Sequence, residues 1–382
     1  MPAADGAFVA LADMLRPALA SADIPVFVAP PPAPVTEPLA HVAELTRDLR
    51  ALHARIAEVE ALLAADRAPA PLIVPAPDER VAVTEPFWTG IRALDGPLCF
   101  GRGARIGIFG APGAGKSTLL EQLVAGSSAD ATVIALIGER GREAERWFRR
   151  SGPRTNLVCA TADLPAAARL QSAERAFAQA AALRARGLHV LLVLDSLARV
   201  AAAAREVAVA AGEPLGRGGF PASVVARLAR LLECAGSTVA GSITLVATVL
   251  SEGAIEHDPI ADAARAALDG HVVLSARLAA AGWFPAIDLP ASASRTLTDV
   301  ASGRHRSAAA RLRIAAAALE AARDARSLGL DPAAGDPVLA RAIAAESRIG
   351  AFLRQAAGGS DPGQTLMQMN EIADSLDDGH LQ

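Results

Sequence analysis

The sequence predicts an α/β fold in which a mostly parallel sheet carries helices on both faces. Short apolar runs alternate with segments of helical pattern from about residue 81 to residue 303, and the run His189–Asp195 is apolar until it ends in a carboxylate. Strands that alternate with helices pair in parallel through right-handed crossovers, and strands covered on both faces are continuously apolar. The 382 residues, 52% hydrophobic and 20% charged, can bury the large core that this fold needs.

The elements of this core follow from hydrophobic pattern and length. The predicted strands are Arg105–Phe109, Thr132–Ile137, Asn156–Cys159, His189–Asp195, Ser242–Leu250 and His271–Ser275. The predicted helices are Lys116–Ala125, Arg142–Arg150, Ala166–Arg186, Ser196–Ala211, Pro221–Ala235 and Ile260–Leu268. We therefore assign residues 81–303 to one core domain.

The residues before the core, 1–80, differ from it in composition. Residues 1–36 are rich in Ala and Pro and predict an extended arm, and the prolines of residues 67–80 predict a linker. Between them, residues 37–66 carry apolar positions spaced alternately by three and four: Val42, Leu45, Leu49, Leu52, Ile56, Val59 and Leu63. This heptad pattern predicts a helix with a narrow apolar seam, which packs either on a second copy or on its own chain.

After the core, only helical pattern remains. It is interrupted at Gly329–Pro337 and again at Gly358–Pro362, where Gly and Pro favour turns. We assign residues 304–382 to a helical C-terminal domain.

Composition excludes several classes of function. The net charge of -4 and the pI near 6.0 give no bulk attraction to nucleic acid or anionic lipid. No apolar run is long enough to predict a membrane span. The three cysteines form no CxxC pair, so a reducing cytoplasmic location without a zinc site is expected.

The strongest motif is the eight-residue run G-A-P-G-A-G-K-S, residues 110–117, which fits G-x-x-x-x-G-K-[ST] between a strand and a helix. Glycines let the backbone N–H groups wrap a phosphate chain, and the helix N-terminus adds its positive dipole end. A lysine there reaches the β and γ phosphates, and a hydroxyl binds Mg²⁺. The predicted ATP-binding positions are Gly110, Gly113, Gly115, Lys116, Ser117 and Thr118. The alternative is a glycine-rich turn without a ligand.

Two carboxylates follow predicted strands. Asp195 ends a buried strand at the carboxyl edge of the sheet, where it can hold Mg²⁺ through water or cap the next helix. Glu139, in the run I-G-E-R-G-R-E, can orient and polarise an attacking water. On composition alone, that run also fits a solvated charge cluster that begins a helix.

Together, these motifs resemble those of the flagellar and type III secretion ATPases, a branch of the rotary ATP synthase α/β group. The resemblance is dense over residues 88–300 and weak over residues 330–355. It is carried by Ala135–Glu143, Asp195–Arg199, Gly212–Pro214, Gly219–Val224, Arg230–Glu233, Gly241–Thr244, Asp258–Asp262, Leu268–His271, Pro285–Asp288 and Ser292–Arg295. It implies a RecA-like P-loop NTPase core.

The resemblance also implies a role for each matched residue. Lys116 and Ser117 match the phosphate and Mg²⁺ positions, Glu139 the carboxylate that activates water, and Asp195 the Walker-B aspartate. Arg140 matches an arginine beside the γ-phosphate.

Two further matches concern the base of the nucleotide and the neighbouring subunit. Phe284 matches the aromatic residue that packs on adenine, in place of the usual Tyr. Arg295 matches an arginine finger that completes the site of the next subunit, which implies activity in a ring.

At the level of the whole protein, the resemblance implies that ATP hydrolysis energises type III or flagellar-type export, including chaperone release and substrate unfolding. Expected partners are further copies in a hexameric ring, export-apparatus proteins, chaperones and secreted substrates. The expected location is cytoplasmic, with peripheral association at the inner face of the membrane.

Two other functions stay open. A nucleotide-dependent assembly or regulatory paralogue would bind ATP and turn over rarely. A hexameric nucleic-acid translocase would share the core, but it should carry an RNA-binding barrel with aromatics and a basic stripe, and this sequence predicts neither.

Residues 1–80 depart from the family pattern, because members usually carry an N-terminal β-barrel that crowns the ring. Our hypothesis is that the heptad helix of residues 37–66 holds the ring instead. Deleting residues 1–80 should then reduce the oligomer that native mass spectrometry detects. An unchanged oligomer after the deletion would contradict this role.

Overall fold

The computed structural model describes residues 72–250 and 258–377. The predicted arm and heptad helix, and residues 67–71 of the predicted linker, lie outside the described residues. The division of the chain at residues 80 and 303 stays a prediction.

The core alternates strands and helices as predicted. Its strands are β1 Arg105–Gly110, β2 Ala131–Ile137, β3 Thr155–Ala160, β4 His189–Asp195, β5 Gly236–Ser237, β6 Ser242–Leu250, β7 Gly270–Leu274 and β8 Ile287–Ser294. Its helices are α1 Arg92–Asp95, α2 Lys116–Gly126, α3 Gly141–Arg150, α4 Ala166–Ala185, α5 Leu197–Ala210, α6 Ala222–Glu233, α7 Pro259–Ala267, α8 Ala276–Ala280 and α9 Leu297–Val300. The six predicted strands and six predicted helices agree with these bounds to within two residues.

The C-terminal segment is helical, as predicted. It contains α10 Gly303–Ser327, α11 Pro337–Leu353 and α12 Pro362–Ser375. Each begins at a capping side chain, Ser302, Asp336 or Asp361, which accepts a backbone N–H of the first turn. Because α11 and α12 also have Pro at a first-turn position, their starts are fixed by local sequence.

Within the described residues, eight strands form one sheet in the order β3-β2-β4-β6-β1-β7-β8, and the short β5 pairs with β6. The pairs from β3 to β7 along this order are parallel, which confirms the predicted class. Antiparallel pairing is confined to β5 with β6 and β7 with β8. The sequence analysis missed β8, because its residues I-D-L-P-A-S-A-S include a proline and small side chains. Proline is tolerated there because β8 is an edge strand.

Alternate side chains of the central strands enter two separate hydrophobic clusters. On β2, Ile134 and Leu136 pack in a cluster with α2 and the C-terminal helices. Val133 and Ala135 pack in the other cluster, with α4, α5 and α6. This period of two shows that helices cover both faces of the sheet.

The strand directions decide which residues meet. Gly110 at the end of β1 and Asp195 at the end of β4 lie at the same edge, since β6 pairs in parallel with both strands. We call this the carboxyl edge. The antiparallel β8 begins there, with Ile287 opposite Leu274, and ends at the other edge, with Ser294 opposite Gly270.

No helix among residues 72–250 and 258–377 combines the length and the apolar character that crossing a lipid bilayer requires.

The core should depend on the packing of α4. The Phe177 side chain on α4 is fully buried, so Phe177→Ala should lower the free energy of unfolding by about 3–5 kcal/mol. Phe148 is 65% exposed, and Phe148→Ala should change that free energy by no more than about 0.5 kcal/mol. Urea unfolding of both variants checks this, and similar losses in the two would contradict the assignment of the core.

Candidate functional site

The loop between β1 and α2 has the backbone of a phosphate cradle. Gly113 and Gly115 adopt positive φ values of 82° and 91°, which side-chain-bearing residues rarely adopt. Among the described residues, no side chain caps the N-terminus of α2. Its first-turn N–H groups can therefore donate to an anion, where the helix dipole also favours negative charge.

Lys116, the first residue of α2, folds back over this loop. Its Nζ lies 3.5 Å from the Gly110 carbonyl oxygen. Burial lowers the pKa of Lys116, although Asp195 and Glu139 act in the opposite direction. Ser117 is half-buried and Thr118 is exposed in the same turn. The structure thus brings the predicted loop and lysine to one place.

Asp195 ends β4 at the same edge of the sheet as the loop. It is 6% exposed and accepts a 2.5 Å hydrogen bond from the hydroxyl of Thr248 on β6. Burial raises the pKa of Asp195, and the Thr248 hydrogen bond and Lys116 oppose that rise. The cap of α5 is Ser196, whose hydroxyl accepts the Arg199 N–H. Asp195 itself does not cap α5, so the alternative of helix capping does not apply to it.

Glu139 is buried rather than solvated. It is 5% exposed, and its Oε1 lies 3.0 Å from Nε of Arg199, which also donates to the Gly138 carbonyl. The pKa of Glu139 is raised to about 7, first by burial and then by the charge of Asp195, while Arg199 lowers it. The alternative of a solvated charge cluster is therefore wrong for Glu139. It describes Arg140, which is exposed at the N-cap of α3.

Three carboxylates converge at this edge. Oxygens of Glu139, Glu143 and Asp195 lie within 4.8 Å of one another. Like charges this close repel, and a bound cation would relieve the repulsion. Carboxylate and hydroxyl oxygens are the ligands that Mg²⁺ prefers, so this group with Ser117 fits that ion.

The sequence alone assigns no role to three residues of this site: Arg199, Glu143 and Thr248. Glu143 follows Glu139 by four residues at the start of α3, a spacing that could have drawn attention to it. Thr248 is the polar residue nearest the carboxyl end of β6, which is also a usable signal. Arg199 stands within a motif that carries the family resemblance, but its contact with Glu139 is visible only in three dimensions.

Phe284 also lies beside the loop. It is 42% exposed, and a β-carbon built on Gly115 would lie 3.3 Å from its ring. The ring thus stands next to the phosphate cradle with part of its surface open.

Arg295 does not join this group. Its backbone N–H donates to the Asp269 carbonyl at 2.9 Å, and the N–H of Asp269 donates to Arg105, the first residue of β1. The loop follows the other end of β1, about 17 Å away at the usual rise of a strand. Arg295 therefore lies outside the site of its own chain.

Comparisons with known proteins also indicate a nucleotide-binding ATPase family. The model of the ATP synthase alpha/beta family, nucleotide-binding domain, matches residues 90–294. A type 3 secretion system ATPase of Pseudomonas syringae pv. syringae is 46% identical over 284 residues, which is 73% of this chain and 63% of that protein. The flagellum-specific ATP synthase of Salmonella typhimurium is 43% identical over 286 residues, again 73% of this chain and 63% of that protein. This chain thus spans about 63% of the length of these relatives.

Solved structures share the fold. The assembled ATPase EscN from the type III secretion system of enteropathogenic E. coli is 41% identical, with a TM-score of 0.75, over 78% of this chain and 74% of that chain. EscN has also been solved in complex with its central stalk EscO; that chain is 40% identical, with a TM-score of 0.74, over 80% of this chain and 75% of its own.

The raised pKa of Glu139 predicts a pH dependence of stability. The folded protein holds this proton up to about pH 7, whereas an unfolded chain releases it near the ordinary value of 4.5. The folded state therefore binds more protons between these values, and the free energy of unfolding should fall as pH rises through that window. Glu139→Gln should flatten this fall.

The measurement is urea unfolding from pH 4.5 to pH 8 without Mg²⁺. Glu145→Gln, on the exposed side of α3, is the matched control and should follow the wild type. If Glu139→Gln also runs parallel to the wild type, the burial of this carboxylate does not set its pKa.

Proposed function

This chain belongs to the ATP synthase alpha/beta family, and we propose that it hydrolyses Mg²⁺-bound ATP to energise type III or flagellar-type protein export. The observation that carries the proposal is the arrangement at the carboxyl edge. There a phosphate cradle, Lys116 and three buried or half-buried carboxylates occupy one site. This set of groups can bind a triphosphate with its cation and activate a water against it.

The cradle and its neighbours bind the phosphates. Backbone N–H groups of the loop and of the first turn of α2 donate to phosphate oxygens, and Lys116 adds a positive charge at the β and γ phosphates. The Ser117 hydroxyl and Asp195, through water, would hold Mg²⁺, which neutralises phosphate charge when bound. Thr248 fixes the Asp195 carboxylate by its hydrogen bond.

Glu139 orients the attacking water and accepts its proton. The carboxylate must be ionised to do so, and its raised pKa keeps it close to the pH at which it can exchange a proton. Because Glu139 contacts Arg199 at 3.0 Å, it must share or exchange that partner when water is bound. Arg140 at the start of α3 stabilises charge on the γ-phosphate.

Arg295 acts on a second copy of the chain. It lies at the edge of the sheet opposite the loop, so it can complete a site only across an interface between copies. We therefore propose a homo-oligomeric, hexameric ring in which each Arg295 serves the neighbouring site. The related ATPase EscN has been solved in its assembled form, which supports this proposal.

The proposed partners follow from the relatives. A complex of EscN with its central stalk supports a stalk-type partner for this chain. Export-apparatus proteins, chaperones and secreted substrates complete the proposed set. A cytoplasmic ring with peripheral association at the inner face of the membrane suits this role.

A second candidate is a nucleotide-binding assembly or regulatory paralogue with little turnover. The observation that favours it is the contact of Glu139 with Arg199, which occupies the carboxylate that hydrolysis requires.

Complementation between two inactive variants tests the proposed enzyme. Lys116→Ala should abolish phosphate binding and Arg295→Ala should abolish the trans contribution. Each alone should therefore lose about 10³-fold or more in ATPase rate, the lower end of the range for arginine fingers. Mixed in equal amounts, the two should regain part of the rate. An Arg295→Ala subunit still has its own loop, and a Lys116→Ala neighbour supplies the missing arginine.

The control for Arg295 is Arg304→Ala, an arginine that is 75% exposed on α10 and should leave the rate near that of the wild type. Recovery on mixing should require Mg²⁺. If Arg295→Ala keeps the wild-type rate, or if the mixture stays inactive while both variants assemble, the proposal of a trans finger is wrong. If the wild type binds ATP without turnover, the second candidate replaces the first.

A further inference from the structure

The residues that directly follow α11 contact Trp283 and Phe284, which lie beside the phosphate loop. The guanidinium carbon of Arg354 lies 4.2 Å from the centre of the Trp283 indole. The next residue, Gln355, donates its backbone N–H to the Phe284 carbonyl at 3.0 Å. Two consecutive residues of the C-terminal segment thus contact two consecutive residues beside the phosphate loop.

The indole is seated across the last turn of α11. A β-carbon built on Gly350 would lie 3.2 Å from Cη2 of Trp283, so glycine at this position permits the close approach. Gly350 and Arg354 are four residues apart and lie on the same side of the helix. The Trp283 backbone N–H also donates to the Leu278 carbonyl at 2.9 Å. Trp283 is therefore fixed by three contacts: with Gly350 of α11, with the Arg354 guanidinium and with the Leu278 carbonyl.

The position of the Phe284 ring depends on the backbone that bears it, because the ring is partly exposed. The ring is 42% exposed, and its close neighbour is the backbone of Gly115 in the loop. A half-exposed ring keeps one orientation only if the backbone that bears it is fixed. The contacts of residues 354 and 355 restrain that backbone.

We propose that Arg354, by stacking on Trp283, is a positioning residue that orients Phe284 for the base of a bound nucleotide. The inference rests on the proposed function, and it adds that affinity for the base depends on the C-terminal end of α11. In this proposal Arg354 acts on the base through Trp283 and Phe284. Its loss should weaken the binding of a base-bearing ligand and leave the binding of a bare phosphate chain unchanged.

The test is titration calorimetry of the full chain with Mg²⁺ and two probes, a non-hydrolysable ATP analogue and inorganic tripolyphosphate. Arg354→Ala should weaken the analogue roughly 2- to 5-fold, the size of a lost cation–π contact, with tripolyphosphate unchanged. Gly350→Ala should act in the same direction by displacing the indole. It should not impair folding, since Ala favours helices more than Gly does.

Arg348→Ala is the matched control, because Arg348 lies on the same helix and donates to the Glu371 carbonyl instead. It should leave both affinities unchanged. The positioning role is wrong if neither Arg354→Ala nor Gly350→Ala alters the ratio of the two affinities, or if both probes weaken equally. The proposed phosphate site would be unaffected by that result. If the wild type binds neither probe, the proposed function fails and this inference fails with it.

Discussion

The parallel pairing of β1, β6 and β4 is the constraint on which the rest of the site depends. It brings the ends of β1 and β4 to one edge, so the loop after Gly110 lies above Asp195. Thr248 on the strand between them bonds the Asp195 carboxylate. Because these strands are buried on both faces, a one-residue shift in their pairing would move their side chains from one hydrophobic cluster into the other and would displace the Asp195 carboxylate. Packing and chemistry are therefore set by the same register.

Burial of charge gives this edge its chemical character. Glu139 and Asp195 are both almost fully buried, and burial raises the pKa of each. Lys116 and Arg199 offset part of the negative charge, and a divalent cation with its phosphates would offset more. The buried carboxylates favour a cation, and the N–H donors of the loop favour an anion. Mg²⁺-bound ATP carries both, so it suits this site. We propose that the ring of Phe284, restrained by the residues after α11, extends this site from the phosphates to the base of the nucleotide.

Much of this could be predicted from the sequence, and the exceptions have physical causes. Long apolar strands and the loop motif are local patterns, so the sequence correctly predicts β1, β4 and the glycine-rich loop between β1 and α2. The sequence does not predict β8, because Pro290 and the small residues Ala and Ser of this segment are not typical of a strand. The contact of Glu139 with Arg199 joins residues sixty positions apart, and no local pattern encodes it. The edge at which Arg295 lies follows from the antiparallel direction of β8, which only the sheet reveals.

We propose that the chain is an ATPase whose site is complete only between copies. The most direct test is the steady-state ATPase rate per subunit of the wild type across protein concentration, with particle mass measured in the same samples. We expect the rate per subunit to rise with concentration and to follow the fraction of assembled particles. A constant rate per subunit in samples that contain only monomers would contradict it.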